Sequence, residues 1–420
     1  MKKLSFFIIT VTMFTTFGYS NTDVINTMTM TTNTKCISFQ LMGSGFAIVD
    51  WGDGSKKDTL IFEFADENGW YKLSRTDLDT IPRMLTITGM NVTGLDCACR
   101  FIFDDTFCNQ FTELDVSRNP ALTYLNCENN QLAELDVSKN TALIRLNCER
   151  NQLTELDVSK NTALIRLNCE NNQLTGLDVS KNVMLTGLSC RNNQLTALDV
   201  SQNTVLEYLY CSVNPLTSLD VSRNTALEHL FCSNNQLTAL DVSRNTALEH
   251  LICYDNSINT LDVSQHTALL ELRCDENQLT ALDVSRNIKL MVFSCNKNQL
   301  TALDVSRNTA LINFWCENNP LTVLDISRNT VLKEFSCKNN QLTALDMSQN
   351  TVLRFFQCDD NQITTDALNS LFCTLHDNIV KDGFIDEGDQ IATKNIFISN
   401  NPGSADCDRS IAERKGWTVE

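Results

Sequence analysis

Residues 237–257 read LTALDVSRNTALEHLICYDNS, and residues 300–320 read LTALDVSRNTALINFWCENNP. Copies of this 21-residue pattern follow one another without interruption over residues 111–362, twelve in all. So strict a period indicates a solenoid, in which each turn buries its apolar side against the turns before and after it. Such an array offers a long regular surface, which suits binding better than catalysis.

Each unit divides into two halves in which apolar residues alternate. One half follows LxxLxCxxN, as at residues 122–130, and the other follows LxxLDVSxN, as at residues 132–140. Period-two alternation places the apolar residues on the inward face of a short strand. We therefore predict a mainly β fold: a solenoid of about twelve turns with two narrow parallel sheets, one from each half, and about 4.8 Å between turns.

The asparagine that ends each half is expected at a bend. There its amide can bond backbone groups that the turn leaves unpaired. Stacking of Asn130, Asn151 and Asn172 would then form a ladder of side chains inside the solenoid.

The two half-repeats together resemble the leucine-rich repeat of the 21-residue kind, and the cysteine in each turn is similar to bacterial internalins. The resemblance covers about 250 of the 420 residues. The chain is also similar to secreted leucine-rich-repeat proteins of Bacteroidetes. The resemblance implies a leucine-rich-repeat solenoid and a binding role, but this fold binds many unrelated partners and so does not name the ligand.

Cysteine recurs at the same inward position of every turn, in a column that we call the cysteine ladder. Neighbouring side chains of a parallel sheet point the same way, and a buried cysteine behaves as a small apolar residue, so we expect free, buried thiols rather than bridges. A metal site is less favoured, because the ladder has no CxxC spacing and no partner histidine. The ladder consists of Cys127, Cys148, Cys169, Cys190, Cys211, Cys232, Cys253, Cys274, Cys295, Cys316, Cys337 and Cys358.

Six further cysteines lie outside the ladder. They are Cys36, Cys97, Cys99, Cys108, Cys373 and Cys407. Disulfides are typical of exported proteins. We expect a Cys373–Cys407 bridge near the C-terminus and leave the pairing of the others open.

The N-terminal residues predict export. A short basic start, Lys2-Lys3, precedes a mostly apolar stretch over residues 4–17, and Gly18-Tyr19-Ser20 resembles a cleavage site. We therefore expect a signal peptide at residues 1–20. The alternative, a membrane anchor, is less favoured because about 14 apolar residues are short for a span. The expected destination is secreted or cell-surface, with the periplasm as an alternative.

The ends of the array must be covered, because a bare last turn would leave strand edges and apolar core exposed. Residues 29–94 are read as short strands around Trp51-Gly52-Asp53-Gly54-Ser55, which resembles the signature turn of PKD-like β-sandwiches. They predict a small β-sandwich-like N-terminal cap, followed by an irregular first turn at residues 95–110. Residues 363–420 combine helical spacing with one strand, which predicts an α+β C-terminal cap.

The net charge is −18, and loss of Lys2 and Lys3 with the signal peptide would make it about −20. Such an acidic chain does not bind nucleic acid or anionic membrane by bulk charge, and no further apolar run is long enough to span a membrane. One acidic column, beginning with Asp115, Asp136 and Asp157, runs through all twelve LDxS motifs. Calcium binding is one interpretation. A solvated ion-pair face is favoured, because calcium sites usually use glycine-rich turns.

Catalysis has little support. The sequence has no GxSxG, no HExxH, no glycine-rich phosphate loop and no cysteine–histidine nucleophile pair. His229 and His250 lie one turn apart, about 4.8 Å by strand spacing, and would bind a metal or form part of a binding face. We favour the binding face, and expect no enzyme activity, no cofactor and no metal.

The repeat varies at the outward positions that flank the inward leucine and cysteine. The middle turns gather a group that we call the aromatic strip: Tyr208, Tyr210, His229, Phe231, His250, Ile252 and Tyr254, with Trp315 as a further candidate. Exposed neighbouring aromatics are typical of interface centres. We therefore expect a secreted, monomeric, adhesin-like protein that binds an extracellular protein or glycan through this face. The alternative is a structural spacer or surface-coat component without a specific ligand.

Overall fold

Alternating apolar residues build two sheets at the start of the described chain, which comprises residues 25–62, 69–76, 78–98, 101–102, 106–107, 109–379 and 393–420 of a computed structural model. The predicted signal peptide lies outside these residues. The chain forms two compact units, Met1–Asn172 and Gln173–Glu420. The first ten strands belong to the first unit: β1 (Asn26–Thr32), β2 (Ile37–Gly43), β3 (Phe46–Asp50), β4 (Asp58–Ile61), β5 (Tyr71–Arg75), β6 (Arg83–Gly89), β7 (Val92–Asp96), β8 (Phe101–Ile102), β9 (Thr106–Phe107) and β10 (Glu113–Asp115).

The two N-terminal sheets pack as a small sandwich. One is antiparallel in the order β10-β1-β6-β3-β4, and the other contains β5, β2 and β7. Every second residue of β1 and β2 is buried, which is the period expected of a strand with one face in a core. Phe39 of β2 meets Trp51, just after β3, with ring centroids 5.7 Å apart, so the two sheets share this core.

The turn between β3 and β4 is built by its aspartates and glycines. Oδ1 of Asp50 accepts the N–H of Gly52, and Oδ1 of Asp53 accepts the N–H of Ser55. Gly52 and Gly54 have φ of 73° and 76°, a conformation that glycine adopts without a Cβ penalty. The turn therefore joins an antiparallel hairpin, as its sequence predicts.

The solenoid sheet of the first unit begins earlier than the repeat. Strand β7 runs parallel to β11, with Leu95 opposite Leu125. The next two strands continue the sheet in register. Cys97 is buried and free, so it extends the cysteine ladder by one member. Residues 95–97 thus match the LxC half of the repeat, not the LDxS half that they resemble in sequence. These repeat strands are β11 (Tyr124–Asn126), β12 (Arg145–Asn147) and β13 (Arg166–Asn168).

The second unit is built from the same 21-residue repeat and has one parallel sheet. Its strands are β14 (Gly187–Ser189), β15 (Tyr208–Tyr210), β16 (His229–Phe231), β17 (His250–Ile252), β18 (Glu271–Arg273), β19 (Val292–Ser294), β20 (Asn313–Trp315), β21 (Glu334–Ser336), β22 (Phe355–Gln357), β23 (Lys394–Phe397) and β24 (Trp417–Val419). The central residue of each repeat strand and the cysteine two residues later are buried, as at Leu230 and Cys232. In the last four turns phenylalanine takes the leucine position, and Phe293, Phe314 and Phe335 stack at 5.4–5.5 Å.

The predicted second parallel sheet does not form. In the described turns the LDxS half is a strand only at β10, which pairs antiparallel with β1. Elsewhere Oδ1 of the aspartate accepts the N–H of the serine two residues on, as in Asp241–Ser243 at 2.9 Å. Tight turns follow, with the N–H of Asn245 bonded to the carbonyl of Val242 at 2.8 Å. Local bonds of this kind compete with a strand ladder, so the inward leucine and valine stay buried without a sheet.

Two columns of asparagine side chains provide hydrogen bonds between turns in place of those of a second sheet. At the end of the cysteine half, Nδ2 of Asn151 donates to the carbonyls of Cys127 and Cys148 at 2.9 and 3.1 Å. At the end of the LDxS half, Nδ2 of Asn224 donates to the carbonyls of Val200 and Asn203 at 2.9 Å each. Each side chain thus ties its own turn to the one before. The predicted asparagine ladder is present, and a second asparagine ladder runs along the LDxS half.

The C-terminal cap comprises helix α1 (Thr365–Thr374), β23, helix α2 (Ser410–Glu413) and β24. Strands β23 and β24 extend the parallel sheet beyond β22. Nζ of Lys394 donates to the carbonyls of Asn378 and Lys415 at 3.1 and 2.6 Å, so a lysine holds the chain after α1. The predicted Cys373–Cys407 bridge is wrong: both thiols are free, and Cys373 is exposed.

Candidate functional site

The strands of turns five to seven place the aromatic strip on the outward side of the sheet. Tyr208, His229 and His250 stand opposite one another in adjacent strands, two residues before the companion column of Tyr210, Phe231 and Ile252. All six side chains are partly exposed. The inward residues between the columns are leucines with no exposed surface. Strand alternation therefore separates the core of these turns from the candidate site.

The rings of the strip stack along the strand-to-strand direction. Centroids of Tyr208 and His229 lie 4.9 Å apart, and those of His229 and His250 lie 4.5 Å apart with 12° between their planes. In the companion column, Tyr210 and Phe231 stack at 4.6 Å. Offset stacking of this kind stabilises aromatic pairs beyond the area that they bury. The sequence predicted the exposure and proximity of these residues; the stacking is a property of the structure.

Acidic groups border the strip. Glu271 accepts a hydrogen bond from Arg273 at 2.6 Å, and its other oxygen lies 3.0 Å from Nδ1 of His250. Partial burial is the main cause that lowers the pKa of His229, and the nearby His250 lowers it further. The surrounding glutamates raise this pKa, but by less. His229 is therefore neutral at pH 7, and the glutamates dominate the charge of the face.

Two of the sequence-predicted site residues lie apart from the stacked rings. Tyr254 is partly exposed and follows the ladder residue Cys253, beyond the end of β17. Trp315 is three strands from Ile252 in the register of the sheet, which corresponds to about 14 Å by strand spacing. The structure thus gathers six residues closely and leaves Trp315 as a separate, partly exposed aromatic.

Sequence reasoning missed Val213. This residue has φ of 59°, in the left-handed region, where the equivalent residues of the neighbouring turns are Asn192 and Asn234. A β-branched residue in that conformation is an outlier. It is 40% exposed and follows the turn of Tyr208 and Tyr210, so it adds an apolar side chain beside the strip. Its deviation from asparagine was visible in the repeat alignment.

The cysteine ladder is not a reactive centre. Its thiols form no disulfide and are fully buried. Burial raises the pKa of Cys211 and Cys253 to about 12, which keeps both thiols protonated at pH 7. The described residues contain no group of three or more His, Cys, Asp or Glu side chains able to hold a metal ion. The ladder's role in this structure is packing.

Known structures share this architecture. The functional domain of internalin J from Listeria monocytogenes, described as including a cysteine ladder, is 37% identical to the chain with a TM-score of 0.63, and the match covers 71% of this chain and 68% of that domain. A leucine-rich-repeat protein of Leptospira interrogans is 23% identical with a TM-score of 0.57, covering 73% of this chain and 85% of that one. Internalin F from Listeria monocytogenes is 23% identical with a TM-score of 0.58, covering 66% and 84%. The latter two show the fold.

Comparisons with family models and with curated proteins gave no further relative. No family model and no curated protein matches the chain. Within the described residues, no helix has both the length and the apolar character needed to cross a membrane. Three observations indicate the same family: the strict 21-residue period, the buried cysteine ladder and the 37% identity to the internalin J domain. The chain belongs to the internalin-like family of leucine-rich-repeat proteins that carry a cysteine ladder.

Proposed function

We propose that the chain is an exported, non-enzymatic binding protein that recognises an extracellular protein or glycan through the aromatic strip. The observation that carries this proposal is the grouping of five aromatic or imidazole rings on three adjacent strands of the repeat array. Aromatic side chains combine large contact area with few rotatable bonds, and for this reason they concentrate at the centres of interfaces. The leucine-rich-repeat solenoid is a scaffold of the kind that suits such a role.

Three features support the proposal beyond the strip itself. The core of these turns is complete without the six residues, because leucine and cysteine already fill the inward positions. The strained Val213 persists beside the strip, as expected where a side chain is retained for something other than stability. The basic and apolar start of the chain, with its cleavage-site resemblance, is typical of an exported protein.

Parallel arrays of purified extracellular proteins and of glycans test this function. Wild-type chain and the double variant Tyr210→Ala/Phe231→Ala are applied at equal concentration, with Trp315→Ala as the matched control on the same sheet. We expect specific binding that the double variant loses and the control retains. Equal binding by all three forms would contradict the proposal and favour the spacer or surface-coat alternative.

Export is tested separately. Fractionation of the native cells and mass spectrometry of the mature N-terminus should recover a chain that begins at Asn21 in the medium, on the surface or in the periplasm. An intact chain that begins at Met1 and remains in the cytoplasm would contradict the proposed localisation without affecting the proposed binding face.

A further inference from the structure

The aromatic strip ends beside two small residues of the neighbouring strand β14, a change of side-chain size that we call the step at Gly187. Gly187 is the residue opposite Tyr208 in the neighbouring strand, and Ser189 is opposite Tyr210. A glycine has no side chain, so it does not cover the face of the Tyr208 ring that points away from His229. The equivalent residues of turns two and three are Arg145 and Arg166. At this position, therefore, the array changes from a cation to a small residue and then to rings.

Rings within the strip have little free face. His229 lies between Tyr208 and His250 at 4.9 and 4.5 Å, and Phe231 is stacked on Tyr210 at 4.6 Å. A sugar ring or a nucleobase binds an aromatic side chain by lying flat on its face. Stacked rings present edges, which suit the irregular apolar contacts of a protein surface. Tyr208 differs from His229, because the residue next to its other face is Gly187, which has no side chain to stack on the ring.

Unpaired carboxylates line the ring column. Glu207, Glu228 and Glu249 immediately precede Tyr208, His229 and His250 in the sequence, and all three are partly exposed. They take part in none of the ion pairs found in the described part of the chain, whereas Glu271 is paired with Arg273. Like charges on neighbouring strands repel one another. A cationic partner would remove this repulsion, and an anionic one would increase it.

We propose that the strip binds a basic protein surface, with an arginine of that partner stacked on the open face of Tyr208 above Gly187 and paired with Glu207. This inference rests on the proposed function and specifies its partner. A planar guanidinium stacks on an aromatic face and bonds a carboxylate in its own plane, which an ammonium does less well. The apolar edges of Phe231 and Ile252 then contact the partner's neighbouring apolar residues.

The test uses the full chain and random peptides displayed on phage as the probe. Peptides are selected on wild-type chain and depleted on Tyr210→Ala/Phe231→Ala, and a glycan array is run in parallel. We expect the recovered peptides to combine arginine with aromatic or aliphatic residues. Changing that arginine to lysine should weaken the measured affinity about fivefold, and changing it to alanine should weaken it further.

The matched pair Gly187→Arg and Gly187→Ala locates the arginine. Arginine at this position recreates the side chain of turns two and three, so the fold should accept it, and it would itself stack on Tyr208 and pair with Glu207. We expect Gly187→Arg to weaken peptide binding at least about tenfold, while Gly187→Ala stays within about twofold of wild type.

Each other outcome is decisive. Strip-dependent peptides without arginine or lysine, unchanged binding by Gly187→Arg, or strip-dependent binding of glycans alone would overturn this inference and leave the proposed function intact. The absence of any peptide or glycan whose binding depends on Tyr210 and Phe231 would overturn the proposed function, and this inference with it.

Discussion

Asparagine and aspartate side chains hold the turns of this backbone where a second sheet would otherwise do so. Each LDxS aspartate accepts the N–H of its serine, as Asp241 does. After the first turn, asparagines of the LDxS half donate to carbonyls of the preceding turn, as Asn224 does, and those of the cysteine half also donate to a carbonyl of their own turn, as Asn151 does. Because these bonds recur in most of the described turns, the 21-residue period is a consequence of side-chain chemistry as much as of the apolar core.

The left-handed position after each cysteine gives the first prediction. Asparagine tolerates this conformation better than valine does, because its short polar side chain bonds locally. We expect Val213→Asn to increase the free energy of unfolding by about 1 kcal/mol, measured by urea denaturation. The reciprocal control, Asn234→Val, should lower it by a similar amount. An unchanged or lower stability of Val213→Asn would show that the observed φ of 59° is not strained.

A second prediction concerns single thiols of the ladder. Cys232 is fully buried between its neighbours Cys211 and Cys253. Serine there would bury a hydroxyl in an apolar core position, which should lower the free energy of unfolding by roughly 1–3 kcal/mol. Alanine should be milder, because it adds no polar group. Comparison of the two unfolding curves tests this order, and a serine variant more stable than the alanine variant would contradict an apolar environment.

At the scale of elements, the strands of the cysteine half form one parallel sheet, while the LDxS half forms tight turns closed by asparagine. The asparagine column has one interruption, His266, which is fully buried. Its Nε2 lies 3.0 Å from the carbonyl of Val242, which is one of the two carbonyls that asparagine would reach. Its Nδ1 has no hydrogen-bond partner among the described residues.

Restoring the column is the third prediction. In His266→Asn, the amide should bond the carbonyls of Val242 and Asn245, as Asn224 bonds those of Val200 and Asn203. The extra hydrogen bond should stabilise the fold by about 1 kcal/mol. Thermal and urea unfolding measure the gain. Asn224→His should show the opposite change, and a destabilised His266→Asn would mean that the histidine ring fills space that asparagine cannot.

The sequence predicted the elements unequally, for physical reasons. Alternation of Leu and Cys identified the strands and the inward thiols, because burial in a narrow sheet requires period two. The same alternation in the LDxS half led to the wrong prediction of a second sheet, since an extended turn buries alternate residues just as a strand does. The Asp-x-Ser spacing carried the signal for a local turn. Cys97 was not assigned to the ladder because it precedes Cys127 by 30 residues instead of 21.

At the scale of the whole molecule, one acidic column contributes to the pH dependence of stability. Hydrogen bonds from the serine backbone and side chain lower the pKa of ten LDxS aspartates: Asp115, Asp136, Asp178, Asp199, Asp220, Asp241, Asp262, Asp283, Asp304 and Asp325. A carboxyl with a lowered folded-state pKa stabilises the fold above its unfolded pKa, near 3.8, and loses that contribution as pH falls.

The fourth prediction follows from this linkage. The midpoint of thermal unfolding should fall as pH is lowered below about 4. Solvent exposure keeps each aspartate's share small, so the effect should come from the sum over turns. Replacing Asp241 and Asp262 by asparagine preserves an acceptor for the serine N–H and should reduce the slope. A midpoint equal at pH 3 and pH 6 would contradict the role assigned to the column.

The candidate site was predictable in position more than in detail. Outward residues of the variable half follow from strand alternation, so the exposure of Tyr210 and Phe231 could be read from the sequence. The stacking of rings, the pairing of Glu271 with His250 and the step at Gly187 depend on side-chain rotamers and on register across strands. Those are set by neighbouring turns, which a single repeat does not specify.

The most direct measurement is a calorimetric titration of the partner recovered on the arrays against wild-type chain, Tyr210→Ala/Phe231→Ala and Trp315→Ala, with the unfolding midpoint of each sample. The account predicts that the double variant loses about 2–4 kcal/mol of binding free energy. It also predicts nearly unchanged unfolding midpoints and wild-type affinity for Trp315→Ala. A folded double variant that binds as tightly as wild type would contradict the claim that this face is the binding site.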